Sequence, residues 1–328
     1  MKIFSVKDQL ITDQYSIYNG DCNDVLSILP DDAIDLSVYS PPFRGLYHYS
    51  SSPRDLSNCQ SSDEFLRHYE FVVSQIARVT KPGRISAVHI ADIIEKDGDM
   101  FDLPHEVKQL HKKYGFQHRN TITIWKEPLK VRMRTMVRSL MHKLIVEDST
   151  ECFTAMPDYV LIFKKKGENA VPVTHPVGLS DYFGETPILP AMSEKYGTFD
   201  QLQKKYAGWS DPKTNKLSHI IWQRYASSVW DDIRIDNVLP FQDSKDEDDE
   251  KHVHPLQLDV IQRLVELYSN QNEVVLTPFM GVGSEVYGAV SLDRKGIGAE
   301  LKDTYYKQAV MNLKDVKKVN VKPQLQLL

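Results

Sequence analysis

Apolar residues along the first half of this chain alternate between two rhythms. Short runs bounded by turn residues predict buried strands at Tyr15–Tyr18, at Ile34–Tyr39 behind Asp31-Asp32, and at Ile85–Ile90, Thr121–Trp125 and Tyr159–Phe163. Helical spacings lie between them. Val25, Leu26 and Leu29 predict a short helix after Asn19-Gly20-Asp21-Cys22, ended by Pro30. Phe65, Tyr69, Val72, Val73 and Ile76 share one face of a helix over Glu64–Thr80, capped by Asp63 and stopped by Lys81-Pro82-Gly83. Residues 44–62, rich in Ser, Tyr and Pro, read as a loop, and a further helix near His105–Tyr114 follows Pro104. From about Lys164 to Glu250 the alternation is lost: Gly and Pro are frequent, aromatics are scattered, and the acidic run from Asp243 to Glu250 predicts a solvated loop. Regularity returns after His254-Pro255 with a helix bearing Leu258, Ile261, Leu264, Val265 and Tyr268. Strand Glu273–Thr277, the turn Pro278–Ser284, a helix from Glu285 to about Leu292, strand Lys295–Glu300 and a last helix capped by Asp303 complete the pattern. Strands alternating with helices predict an α/β fold with a mainly parallel sheet.

At 328 residues, 41% apolar and 26% charged, the chain can bury one large core or two smaller ones. No apolar run is long enough to span a bilayer and no basic-then-apolar leader follows Met1, so the expectation is a cytoplasmic protein with no membrane partner. Cys22, Cys59 and Cys152 are too few and too scattered for a disulfide framework or a zinc site, and no metal is expected. The net charge of −5 does not advertise nucleic acid, so a case for DNA must rest on local surface. Such a surface exists: Lys126, Lys130, Arg132, Arg134, Arg138 and Lys143 face a single acid, Glu127, between two predicted strands. It could grip phosphates and read bases, or be a plain solvated helix face.

Two stretches carry candidate chemistry. Ser40-Pro41-Pro42-Phe43 ends a predicted strand, where the prolines stop the ladder and stiffen the backbone. The Ser40 hydroxyl and the Pro41 carbonyl are fixed acceptors beside an aromatic face, a set suited to a planar heterocycle with an exocyclic amine. By itself the tetrapeptide is equally a strand running into a turn. Around Gly281 and Gly283 a strand-turn-helix offers free N–H groups and close backbone approach, and Glu300 ends the next strand where an acid can accept from a ribose diol. The third glycine of a dinucleotide fingerprint is missing, since Val286 stands there, so a nicotinamide enzyme and a mere tight turn both remain open.

Taken together, the two stretches resemble the beta class of S-adenosylmethionine-dependent DNA amino-methyltransferases. In that family a Ser/Asp/Asn-Pro-Pro-Phe/Tyr motif precedes the Asp/Ser-Pro-Phe-x-Gly-x-Gly cofactor motif; here they are Ser40–Phe43 and Thr277–Gly283, with Thr277 at the usual acid or serine position. Asn19–Cys22, His254-Pro255-Leu256 and Gly298–Leu301 extend the resemblance. It implies a Rossmann-like methyltransferase sheet in circularly permuted motif order, with residues 1–165 and 251–328 catalytic and an irregular inserted target-recognition region at 166–250, whose Trp209 and Arg224 are candidate contacts. The middle of the chain is more like that of phage-borne members than restriction-linked ones.

By the same resemblance Phe279, Gly281, Gly283, Ser284 and Thr277 line the cofactor, Glu300 holds its ribose, Asp21 lies near its adenine and His254 near its carboxylate. Ser40 and Pro41 orient the amine of a flipped base on double-stranded DNA, Pro42 stiffens their backbone and Phe43 stacks on the base. Ring-carbon methylation needs a cysteine nucleophile, and none of the three cysteines adjoins a proline as that family's motif requires. Serine at the first motif position is similar to the cytosine-N4 enzymes; adenine N6 is the alternative. The resemblance also allows a homodimer. The competing functions are a nicotinamide-dependent oxidoreductase, which gives Ser40–Phe43 no role, and a non-catalytic DNA-binding protein.

Overall fold

The structure is a computed structural model that describes residues 6–42, 52, 54–94, 98–135, 137–185, 195–244 and 255–319. Phe43, His254 and the acidic run beyond Ser244 lie outside the described residues. The strands are β1 (Asp8–Ile11), β2 (Tyr15–Asn19), β3 (Ile34–Tyr39), β4 (Thr80–Ile90), β5 (Ile93–Ile94), β6 (Met100–Phe101), β7 (Phe116–Ile124), β8 (Asp158–Lys165), β9 (Val229–Trp230), β10 (Val274–Thr277) and β11 (Lys295–Glu300). The helices are α1 (Cys22–Ile28), α2 (Ser62–Val79), α3 (Leu103–Lys113), α4 (Pro128–Thr135), α5 (Lys143–Glu147), α6 (Phe199–Tyr206), α7 (Lys216–Tyr225), α8 (Leu258–Tyr268), α9 (Ser284–Ser291) and α10 (Asp303–Lys314).

Among the described residues one sheet runs in the order β1-β2-β11-β10-β3-β4-β8-β7-β9. Its middle, β2-β11-β10-β3-β4, is parallel throughout. Every residue of β3 is buried, as a central parallel strand covered on both faces requires. Helices α2 and α3 cover one face of it; α8 and α9, with α6 and α7, cover the other.

Asp35 is the acid inside that buried strand, and its partners explain it. Oδ1 takes the Lys81 ammonium at 2.6 Å and Oδ2 accepts the Val274 N–H at 3.0 Å. Arg84 donates to the Asp35 carbonyl and pairs with Glu273. This polar clamp ties the amino-terminal ends of β3, β4 and β10 together and helps hold the register in which Leu36 faces Val275.

Chain direction then decides where a ligand sits. The path β3-α2-β4 leads one way across the sheet and β10-α9-β11 leads the other. The neighbours β3 and β10 therefore part at a topological switch point, which opens a crevice at their carboxyl ends.

Three local expectations need correction. Helix α2 is capped by Ser61, whose hydroxyl accepts from the Glu64 N–H, and not by Asp63. Lys81-Pro82-Gly83 lies inside β4, where the β3–β4 register breaks between Ile34 and Leu36, and a proline is tolerated at such a bulge. Asp303 lies in the first turn of α10 without capping it; its carboxylate takes Lys7 at 2.6 Å and Asn19 at 3.1 Å and joins the two ends of the chain.

The middle of the chain folds onto the sheet. Residues 166–244 supply α6, α7 and the edge strand β9, which pairs with β7 through Thr123 and Ile124. Their Leu179, Phe183, Leu217, Ile221 and Trp230 share a core with Ile122 and Val160 of the sheet and with α8. Arg263 of α8, fully buried, donates to the Phe183 carbonyl at 2.6 Å and to Asp232 at 2.8 Å. No helix among the described residues is long and apolar enough to cross a membrane, and the three cysteines are free.

Candidate active site

The crevice at the switch point is a cavity of about 740 Å³ that both motif stretches line. Phe279, Gly281, Ser284 and Glu300 form one side; Ser40, Pro41 and Pro42 form the other; Asp21 and Trp125 lie at its margins. The separation in sequence closes because β3 and β10 pair directly, Leu36 with Val275 and Ser37 with Leu276.

On the β10 side the two glycines have different work. Gly281 has φ +54°, and a Cβ there would meet nothing within 4 Å, so its surface is left to the cavity. Gly283, at φ +93°, caps α9 and packs beneath the turn, where a Cβ would come within 3.2 Å of Ala309. Gly283 and Thr277 therefore stand behind the cavity wall rather than in it. Glu300 accepts the N–H groups of Gly281 and Lys302, each at 2.8 Å. Burial pushes its carboxyl up to about 7 against the pull of those two bonds. The Ser284 hydroxyl is buried on the cavity wall with no hydrogen-bond partner among the described residues. Asp21 caps α1 through the Asn23 N–H at 2.8 Å and meets Arg54 at 3.4 Å, with its residue still lining the cavity.

On the β3 side the sheet edge carries a polar chain that sequence reasoning missed. Ser40 Oγ lies 2.9 Å from His89 Nδ1, His89 Nε2 lies 3.2 Å from Asp158 Oδ2, and Lys126 Nζ donates to Asp158 Oδ1 at 2.5 Å. Burial alone would raise the Asp158 carboxyl, but His89 and Lys126 outweigh it and hold it at about 2. An ionised Asp158 only accepts, so a neutral His89 with its proton on Nε2 would turn its Nδ1 lone pair to the Ser40 O–H; Nε2 itself faces Asp158 as a close polar contact without hydrogen-bond geometry. The four residues stand at the edges of β3, β4, β8 and β7, neighbours in that order. The signal available in the sequence was a histidine one residue before the end of a predicted strand and an acid just before another.

The basic segment rises from the same edge. Strand β7 runs antiparallel to β8, and β8 antiparallel to β4, so β7 ends where β3 and β4 end. Lys130 of α4 lines the cavity and Arg138 is exposed, while Lys126 is committed to Asp158 and Lys143 pairs with Glu147 at 3.9 Å. Arg132 is half-buried, and the Arg134 side chain is outside the described residues. Trp125, 50% exposed, presents an indole at the cavity margin. Trp209 is also exposed, bonded to Thr214; Arg224 is tied to Asp231, Asp232 and Tyr182.

The model of the N6/N4 DNA methylase family matches residues 34–311, from β3 through most of α10. The chain belongs to the DNA methylase family. Among curated relatives, the type II methyltransferase M.BglII from Bacillus subtilis is 25% identical over 291 residues, covering 88% of this chain and 66% of that relative's own length. Among solved structures, TTHA0409 from Thermus thermophilus, in its complex with S-adenosyl-L-methionine, superposes with TM-score 0.55 at 20% identity, over 90% of this chain and 92% of that one. PvuII DNA methyltransferase, which is cytosine-N4-specific, gives TM-score 0.55 at 15% identity over 97% of this chain and 92% of that one. At these identities the superpositions establish the Rossmann-like methyltransferase fold. Membership in the DNA methylase family also answers the nicotinamide reading: Gly281 and Glu300 share their cavity with a strand tip for which a dehydrogenase has no use.

Proposed function

We propose that this protein transfers a methyl group from S-adenosyl-L-methionine to the exocyclic amine of a base flipped out of double-stranded DNA, with cytosine N4 as the target. The observation that carries the reading is the single cavity in which the Ser40-Pro41-Pro42 strand tip faces the glycine turn across two directly paired strands. The residues present suit the cofactor: Glu300 for a diol, the open Gly281 surface for close approach, the unpartnered Ser284 hydroxyl for a polar terminus, and Phe279 for an apolar face. When bound, the cofactor supplies a methyl group activated on a sulfonium. The protein's part is orientation. An aromatic amine delocalises its lone pair, and acceptors at Ser40 Oγ and the Pro41 carbonyl hold its two N–H bonds so that the lone pair leaves the ring plane. With its O–H aimed at an unprotonated His89 Nδ1, 2.9 Å away, Ser40 keeps a lone pair as an acceptor toward the cavity.

Serine at the head of the motif, similar to the cytosine-N4 enzymes, is what favours cytosine; adenine N6 is the alternative. Nucleoside analysis of DNA from cells expressing the protein tests both steps. Expected is N4-methylcytosine; 6-methyladenine alone would reassign the base, and no methylated base would end the reading.

Segment 126–143 is the proposed phosphate grip, and residues 166–250 the proposed target-recognition region. Lys130→Ala and Arg138→Ala are each expected to weaken DNA binding across sequences and to lower the salt slope by roughly one. Titrating DNA at several salt concentrations checks this, and unchanged slopes would remove the segment from the interface.

Glu300 gives a pH dependence. Its carboxyl titrates at about 7 in the free protein, and only the ionised form offers full acceptor strength to a diol. Affinity for the cofactor should therefore fall as pH falls through 7, roughly tenfold between pH 8 and pH 6. Calorimetric titration with S-adenosylhomocysteine reads this, and Glu300→Gln should weaken binding and flatten the profile.

A further inference from the structure

The methyl-transfer reading leaves one proton without a stated destination, and the edge of the sheet supplies one. An amine that gains a methyl group forms the N–C bond with its lone pair, while the electron pair of the broken S–C bond stays on sulfur. The nitrogen is left cationic with one proton in excess. The atom beside it in the proposed pose is Ser40 Oγ, which lies 2.9 Å from His89 Nδ1 and can direct its hydrogen to that nitrogen's lone pair when Nδ1 is unprotonated. We propose that His89 takes the surplus proton through Ser40, with Asp158 and Lys126 setting the position and tautomer of its ring. The inference rests on the methyl-transfer reading and adds a residue set to it.

The step balances. Ser40 passes its hydroxyl proton to Nδ1 and receives the amine proton in return, so the hydroxyl ends as it began. His89 becomes an imidazolium with its Nε2–H facing the Asp158 carboxylate 3.2 Å away, and later releases the Nδ1 proton to water. Asp158 stays ionised throughout. The Lys126 ammonium, on the opposite oxygen of Asp158, holds that carboxylate in place from the end of β7. Three strands therefore converge on one imidazole: β3 brings Ser40, β8 brings Asp158 and β7 brings Lys126. A purely structural role would need only an acceptor for the Ser40 hydroxyl, and a neutral amide would serve; a buried ion pair behind the ring serves a ring that changes charge.

Other charged groups bear on its titration. Asp158 faces the ring directly, Lys126 stands behind it on the other carboxylate oxygen, and Asp92, in the loop that leaves β4, lies on the same cavity wall. The pH profile therefore belongs to the group of residues, and the test depends on its loss with the ring.

The discriminating variant is His89→Asn. Its amide oxygen can stand near Nδ1 and accept from Ser40, but it cannot hold a proton. The measurement is single-turnover methyl transfer to DNA across pH 5.5–9, with cofactor and DNA affinities determined separately. The wild-type rate should rise with pH along one ionisation and level off. His89→Asn should lose about 100-fold in rate and the ionisation limb, with both affinities unchanged. Asp158→Asn should also lower the rate, with the limb moved to lower pH because the imidazolium is no longer stabilised by an anion. Wild-type rate and profile in His89→Asn would overturn the inference and leave methyl transfer intact. An absence of transfer by the wild-type protein would overturn both. Should His89→Asn not fold, Lys126→Met decides on the same assay: a shifted limb supports the chain, and an unmoved limb with unchanged rate overturns it.

Discussion

Replacing Ser40 by alanine should reduce methyl transfer by about 100-fold or more while leaving cofactor and DNA affinities near their wild-type values. The hydroxyl is small and sits at the tip of β3, so its removal takes away the acceptor that orients the amine and little packing. His89 then keeps its 3.2 Å contact with Asp158 and loses its link to the reacting atom. Radiolabelled methyl transfer beside equilibrium DNA binding separates the two readouts. A variant that binds DNA normally and transfers nothing supports the orientation role. Equal transfer by the variant and the wild type would take the role away from Ser40. A protein in which neither form transfers methyl groups, yet both bind DNA, is a binding protein on a methylase fold.

The second large effect is on stability. The Arg263 guanidinium is wholly buried, enclosed by the rings of Tyr182, Tyr225 and Trp230 at 5.3, 4.9 and 5.0 Å and paired with Asp232. Asp232→Ala leaves that cation buried, with Tyr182 losing its carboxylate acceptor as well. Breaking a buried pair from one side costs about 3–5 kcal/mol. For a chain of this size the melting temperature should fall by roughly 10 °C, read by calorimetry. Asp232→Ala should also loosen α6 and α7 from the sheet first, because Arg263 joins α8 to the segment that carries them. Hydrogen exchange of residues 199–225 checks that ordering.

Much of the frame was legible because its signals are local. An unbroken apolar run such as Ile34–Tyr39 has few other places to go, and the period of Phe65, Tyr69, Val72 and Ile76 fixes the buried face of α2. The motif stretches were legible for the same reason: their residues are contiguous. The relay was not. His89 and Asp158 come together only through the antiparallel pairing of β4 with β8, which periodicity does not reveal. Strand β9 has two residues and no period to read. Helices α6 and α7 carried start signals, Thr198 with Gln201 as a capping box and Asn215 with Ser218, but these were lost among the glycines and prolines around them. Arg224, a candidate contact in the sequence, is tied to Asp231 and Asp232, neighbours that its own segment brings.

The place of β10 in the sheet also governs how the protein is made. Translation delivers β2 and β3 early, yet the strands that lie between them, β10 and β11, come last in chain order among the described strands. Until then both early strands offer bare hydrogen-bonding edges to any passing chain. Ribosomes stalled before residue 274 should therefore yield insoluble, inactive polypeptide rather than a working half, and slow synthesis should call on chaperones.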